Sequence, residues 1–370
     1  MNITILQGAF LPVPALRGGA VEKMWQALGA EFARRGHRVT HLSRRCDGLP
    51  AEETADGVRH VRLRGYDQPP GGLRLKACDF LYSWRARRAA PAADLVVTNT
   101  FWSPLLLRPR HGAVYVDVQR MPKGQMRLYR GAARLRANSS AVRDAILREA
   151  PDAAPRVRVI PNPLPFAPEY PVRWDAKERV VLFAGRLHPE KGIELLLAAW
   201  NRLRAADRLA GWKLRFIGPA DTARGGGGET WVAGLQRRHP SLEIEWMPPA
   251  FEPAKLHAAY ENATVFAYPS LAEKGETFGV AALEAMAFGA VPVVSDLACF
   301  RDFIADGCNG AVFDHRSPEP AAALAGAIER AAAPGARAWA GAAVEVRRTH
   351  AVAAIADAFL ADFAALTGKR

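Results

Sequence analysis

The sequence predicts an α/β protein made of two doubly wound domains joined by a proline-rich connector. Three observations carry this reading. Short apolar runs alternate with helix-periodic segments through the first 160 residues, the alternation stops at 161–171 (PNPLPFAPEYP), and it restarts at residue 180. Strands separated by helices at this spacing form a parallel sheet. Proline removes a backbone donor and restricts its predecessor, so a stretch with five prolines reads as a connector. A chain of 370 residues is long enough for two cores.

In the first half, residues 3–6 are an apolar strand, followed by a loop containing Gly18-Gly19. Residues 20–35 carry Val21, Met24, Trp25, Leu28 and Phe32 at helical spacing and close at Gly36. Residues 39–42 read as the next strand, and 58–63 alternate apolar with basic residues as a half-buried strand does. Residues 94–98, 113–116 and 135–137 are further strands; Ser139 or Ser140 can cap a helix over 141–149. In the second half, strands are expected at 180–184, 214–217, 242–246, 265–268 and 291–295. Helices are expected from about 193 and near 229–238, 253–261 and 280–288. The run Gly225–Gly228 reads as a mobile loop. Residues 350–367 form a last amphipathic helix through Ile355, Phe359, Phe363 and Leu366, expected to pack back across the domains. The domain limits are therefore 1–165, 166–349 and the helix 350–370.

Composition narrows the class. Hydrophobic residues make up 49% and charged residues 24%, an ordinary globular balance. The four cysteines (Cys46, Cys78, Cys299, Cys308) include no C-x-x-C pair and no zinc-like cluster with histidine, which favours free thiols in a reducing compartment. The opening MNITILQG reads as a strand rather than a secretory signal. No apolar run approaches the ~20 residues of a membrane-spanning helix. These features point to a cytoplasmic protein, at most peripheral on the inner face of a membrane. The net charge of +13 is concentrated in one half: residues 1–165 hold 27 Lys and Arg against 13 Asp and Glu, residues 166–370 hold 23 against 24. Such asymmetry suggests an anionic partner for the first half; a solvated arginine-rich surface is the plainer alternative.

The chemistry concentrates in two motifs of the second half. The segment from Glu276 to Gly289, ETFGVAALEAMAFG, leads from a loop into a helix beginning near Gly279. There the backbone N–H groups of Phe278, Gly279 and Val280 sit at a positive helix end, which suits an anion. Glu276 lies just outside that end and Glu284 within the helix. Carboxylates beside an anion site are poor phosphate ligands but good acceptors for vicinal hydroxyls. The second motif, VLFAGRLHPEKG over 181–192, places Arg186 and Lys191 on a loop after a buried strand, a fork and a point charge suited to a diphosphate.

Together these motifs resemble the E-x7-E and G-R-x4-K-G patterns of glycosyltransferase family 4, the large retaining family with the GT-B fold of two Rossmann-like domains facing a cleft. The resemblance runs through nearly the whole chain and is most specific over 180–310. It implies that Glu276 contacts the donor sugar, that Glu284 holds the ribose hydroxyls, and that Arg186 and Lys191 bind the donor phosphates. Arg17-Gly18-Gly19-Ala20-Val21-Glu22 resembles the family's N-terminal loop, which implies that Gly19 lies at the donor phosphate. The opening PVPALRGGAVEK and the RMPKGQMRLY stretch are similar to bacterial members attached to envelope, capsule or spore-coat polysaccharide clusters. The resemblance implies transfer of a hexose-type sugar from a nucleoside-diphosphate sugar with retention of configuration. The leaving phosphate would help to deprotonate the acceptor hydroxyl.

The sequence departs from the family where many members place a histidine near the donor sugar. VYVDVQRMPKGQMRLY offers Asp117 and Gln119 there, and His111 lies earlier. Asp117 is the catalytic candidate, as a hydrogen-bond acceptor for a sugar hydroxyl or as an electrostatic stabiliser; an ordinary strand-end aspartate is the alternative. No D-x-D sequence occurs, and with Arg186 and Lys191 present the expectation is a metal-independent enzyme without a cofactor. Arg120, Lys123, Arg127 and Arg130 lead a basic run continuing through Arg134 to Arg136; from Lys123 to Arg134 the spacing would make one helical face. That face would meet an anionic or lipid-linked acceptor, or a membrane surface. A sugar phosphorylase would need a pyridoxal phosphate lysine and a longer chain. A nucleic-acid-binding protein would need interleaved stacking aromatics, and no nucleic acid partner is expected.

Overall fold

A computed structural model describes all residues except 17, 18, 169, 242, 369 and 370. The chain divides into two compact units, Met1–Ala167 with His350–Arg370, and Pro168–Thr349.

The first unit contains, in order, β1 (Asn2–Leu6), α1 (Ala20–Arg34), β2 (Arg38–Arg44), β3 (Glu52–Ala55), β4 (Val58–Leu63), α2 (Gly72–Ala89), β5 (Leu95–Thr98), α3 (Ser103–Leu106), β6 (Ala113–Val118), β7 (Arg134–Ala137), α4 (Ser140–Glu149) and β8 (Val157–Val159). These strands form one sheet in the order β3-β4-β2-β1-β5-β6-β7-β8. Neighbouring strands are parallel except the β3–β4 hairpin. β5 and all of β1 beyond Asn2 are buried, so they read as short, mostly apolar runs with only a threonine in each. Ser139 caps α4 as expected, its Oγ accepting from Val142 N at 3.2 Å.

The second unit contains β9 (Glu178–Ala184), α5 (Ile193–Ala205), β10 (Lys213–Ile217), α6 (Glu229–Arg238), β11 (Ile244–Met247), α7 (Pro253–Asn262), β12 (Ala263–Tyr268), α8 (Val280–Ala287), β13 (Val291–Ser295), β14 (Ala311–Phe313), α9 (Pro320–Ala332), α10 (Arg337–Ala343) and α11 (Val346–Thr349). Its sheet runs β11-β10-β9-β12-β13-β14 with every pairing parallel. Two doubly wound sheets are therefore present, as the alternation predicts. The strand expected at 242–246 begins at Ile244; residue 242 lies outside the described set.

The last helix, α12 (Val352–Thr367), belongs to the first unit. Its Phe359 and Phe363 pack on Trp25 and Phe32 of α1, with ring centroids 5.1 Å apart for Trp25–Phe359 and 5.7 Å for Phe32–Phe363. Asp362 accepts from Tyr115 Oη at 3.0 Å and pairs with Arg134 at 2.6 Å, fixing the register of α12 on the sheet. The four-glycine run is tied down rather than loose: Gly227 N donates to Leu187 O and Gly228 N to Ala220 O, both at 2.8 Å.

Candidate active site

In the second unit, β9 and β12 are parallel neighbours, so the loops that follow them leave the same end of the sheet. Loop 185–192 and loop 269–279 are held together by Leu271 N donating to Glu190 O at 2.8 Å. They also touch at Gly192, whose φ is 72° and where a Cβ would lie 2.0 Å from Pro269 O. Only glycine fits that approach.

The contact between the loops carries the charges. Lys191, almost buried, donates from Nζ to Glu276 Oε2 at 2.7 Å. The ammonium also lies 5.5 Å from the centre of the Tyr268 ring. Tyr268, the last residue of β12, stacks on Phe183 and Phe266 and is bonded to Glu276, and burial followed by that carboxylate holds its phenol well above the ordinary range. Arg186 is more open. Its Nη2 donates to Glu190 Oε1 at 2.9 Å and its Nη1 to Gly225 O at 2.8 Å.

Helix α8 starts directly after Glu276 and its neighbours. Gly279 caps it with φ 85°, and a Cβ there would meet Phe300 at 2.3 Å. A glycine contributes no side-chain cap, so the helix end is left to backbone and ligand. Phe278 is buried against Phe303. Glu284, one turn into α8, accepts from Tyr260 Oη at 3.0 Å. Arg186, Lys191, Glu276 and the Phe278–Val280 step thus converge at one end of the sheet, with Glu284 following in the same helix. Tyr268 and Tyr260, which orient the two glutamates, escape sequence reasoning because each sits inside an ordinary apolar or helical run.

In the first unit, Gly19 is the N-cap of α1 with φ 112°. A Cβ on it would lie 2.2 Å from Glu22 Oε2, so the Glu22 carboxylate folds back on the loop. Burial pushes the Glu22 carboxyl up, opposed by its own backbone N–H and by Arg120. Arg17 and Gly18 of the same motif lie outside the described residues.

Two sequence expectations are corrected. The Asp117 side chain is fully buried, not open to a substrate. Its carboxylate accepts from Trp25 Nε1 at 2.7 Å, Arg136 Nη1 at 2.7 Å and Gln119 Nε2 at 2.9 Å. Arg136 in turn donates to Ile160 O and Asn162 Oδ1. The alternation of β6 and β7 turns both charges inward, where each satisfies the other. The basic run forms no helical face. Only a 3-10 turn, Gln125–Leu128, interrupts it, and Arg134 and Arg136 enter β7 and are buried. Arg120, Lys123, Arg127 and Arg130 remain exposed, Arg127 within that turn and the others on the chain beside it. Gly124 and the proline before Lys123 prevent a continuous helix.

Two doubly wound units, with a cation pair and a glycine-capped helix at the end of one sheet, define an α/β enzyme built to hold an anionic ligand. Comparison with known proteins makes the class specific. The profile described as Glycosyltransferase Family 4 matches residues 18–167, and that described as Glycosyl transferases group 1 matches residues 170–333. The chain belongs to family 4 of the glycosyltransferases and has their GT-B fold. It is 28% identical to the D-inositol 3-phosphate glycosyltransferase of Kineococcus radiotolerans over 77% of this chain and 74% of that one. Among solved structures it is similar to the sucrose-phosphate synthase of Thermosynechococcus elongatus, with a TM-score of 0.78, 22% identity and full coverage of both chains. It is also similar to Anabaena HepE in complex with UDP and glucose, with a TM-score of 0.70 and 17% identity over 99% of this chain and 100% of that one.

Proposed function

We propose that this glycosyltransferase moves a hexose-type sugar from a nucleoside-diphosphate sugar to a glycan, lipid-linked or small-molecule acceptor, with retention at the anomeric carbon and without a divalent metal ion. The observation that carries the reading is the Lys191–Glu276 pair, with Arg186 on the same loop and the start of α8 directly after it. Arg186 and Lys191 supply positive charge where the diphosphate leaves, the point at which charge develops. Glu276 presents its second carboxylate oxygen to sugar hydroxyls, and Glu284 anchors the ribose. The anomeric C–O bond to the diphosphate breaks, a new C–O bond forms to the acceptor oxygen, and the acceptor's proton passes to the departing phosphate. UDP and glucose in the HepE complex, and the inositol phosphate acceptor in the Kineococcus relative's name, are consistent with this class of donor and with an anionic acceptor.

We further propose synthesis of cell-envelope polysaccharide as the setting, cytoplasmic or on the inner membrane face, from the likeness of the N-terminal segments to bacterial envelope enzymes. The test is a panel of nucleotide sugars with chelator present, read by release of nucleoside diphosphate, with the anomeric configuration of the product set by NMR. Retention with undiminished turnover in chelator is the expected result. Inversion, or strict dependence on a divalent ion, would overturn the reading.

A further inference from the structure

Helix α2, which the sequence reading does not announce, turns a stripe of large apolar residues to solvent. Leu73, Ala77, Phe80, Leu81 and Trp84 recur three and four residues apart, so they share a face, and that face points outward. Leu73 is 85% exposed, Leu81 43% and Trp84 37%. The inward face carries Asp79 and Ser83 beside Tyr82 and Ala86, the last two packed in the core of the sheet. Asp79, the helix's one acidic residue, is buried and accepts from Phe101 N and Trp102 N at the start of α3.

Cations line both flanks of the stripe. Arg74, Arg85 and Arg88 lie on one side, Lys76 and Arg87 on the other. The Arg88 guanidinium covers the Trp84 ring at 3.5 Å. The surface continues past the helix: Trp102 meets Phe80 edge-on at 5.4 Å and donates from Nε1 to Lys76 O, and Leu105 of α3 is 40% exposed. Through Phe101 and Tyr129 the aromatic chain reaches the turn bearing Leu128, exposed between Arg127 and Arg130.

We propose that α2, with the adjoining Leu105 and Leu128 turns, docks the first unit onto an anionic lipid bilayer. An apolar stripe of leucine, phenylalanine and tryptophan flanked by lysine and arginine is the composition of a helix lying in the membrane interface. A bilayer supplies both partners this face needs, hydrocarbon for the stripe and headgroup phosphates for the flanks. No single helix among the described residues is long and apolar enough to cross a membrane, and the contact proposed for α2 is a peripheral one. The proposal deepens the membrane-surface reading above by naming the element, and it requires nothing of the sugar donor.

The test is co-sedimentation of the full chain, without nucleotide, with vesicles of phosphatidylcholine alone and of equimolar phosphatidylcholine and phosphatidylglycerol. The chain should bind the anionic vesicles and scarcely the neutral ones. Combined Leu73→Ser, Leu81→Ser and Trp84→Ser should weaken partition by roughly tenfold or more. Combined Arg74→Gln, Lys76→Gln and Arg88→Gln should erase the preference for phosphatidylglycerol. Thermal stabilisation by UDP or GDP should be equal in wild type and both variants, which shows that they are folded. If neither nucleotide stabilises the wild type, the donor reading suffers and this one does not. Three results would overturn the proposal: no binding to anionic vesicles, binding indifferent to the apolar substitutions, or a dimer or RNA complex that depends on these residues while vesicles are ignored.

Discussion

Lys191 and Glu276 face each other across two loops of the second unit, Nζ to Oε2 at 2.7 Å, with side chains only 7% and 10% exposed. The residues are 85 positions apart, and the pairing follows from β9 and β12 lying side by side. A nearly dry ion pair at the mouth of a parallel sheet holds a cation and a hydroxyl acceptor in fixed relation before any ligand arrives. That is preorganisation of the kind that lowers a barrier.

Because each member neutralises the other out of water, removing one leaves an unpaired charge. Lys191→Met or Glu276→Gln should each destabilise the second unit by on the order of 3 kcal/mol, and the double variant by less than the sum. Urea unfolding of the four proteins measures this coupling. Transfer activity should be low in all three variants, with no recovery in the double.

Arg186 is held at the surface by Glu190 and the Gly225 carbonyl. Arg186→Ala should therefore change stability by no more than about 0.5 kcal/mol. It should lower kcat by roughly 10²–10³ if the guanidinium stabilises the leaving diphosphate. Steady-state kinetics beside a melting curve separate the two effects.

Asp117 sits opposite Arg136 with neither side chain exposed. Asp117→Ala should cost about 3–5 kcal/mol, because Arg136 would be left buried and uncompensated. The check is chemical denaturation. A variant of wild-type stability with reduced kcat would restore Asp117 to the chemistry.

His41 is fully buried on β2, stacked at 5.5 Å on His60 of β4, and neither of its ring nitrogens has a partner among the described residues. Burial, then His60 and Arg62, hold its pKa down to about 3. A histidine depressed in the folded state binds fewer protons there than in the unfolded chain between its folded value and the ordinary 6.5. Its contribution is therefore intact above that ordinary value and is lost as pH falls through the window toward 3. His41→Phe should flatten the acid limb of the stability–pH curve, which differential scanning calorimetry at several pH values would reveal.

Much of this protein is legible in its sequence, for reasons that can be named. The buried strands β1, β5, β9 and β12 announce themselves as short apolar runs, and α1 and α12 as periodic ones. The cation loop and the glutamate helix are contiguous motifs, so their members need no tertiary knowledge to be grouped. Contacts at long range were hidden. Asp117 could be read as a site residue only because Arg136 and Trp25, which enclose it, lie 19 and 92 positions away. Helix α2 carries apolar residues on both faces, Tyr82 and Ala86 inward and Leu73, Phe80, Leu81 and Trp84 outward, so no single periodic stripe announces it. The basic run after β6 looked helical by spacing alone until Gly124 and the strand beyond it intervened. The β3–β4 hairpin carried its own signal in Asp56-Gly57, a two-residue turn pair.

The central claim, that Arg186, Lys191 and the start of α8 receive the diphosphate of a sugar nucleotide, is tested most directly by calorimetric titration with nucleoside diphosphates in the presence of chelator. The account predicts saturable, metal-free binding of at least one nucleoside diphosphate, weakened at least about tenfold in Arg186→Ala and in Glu284→Gln. Binding that is absent for all of them, or equally tight in both variants, would contradict it.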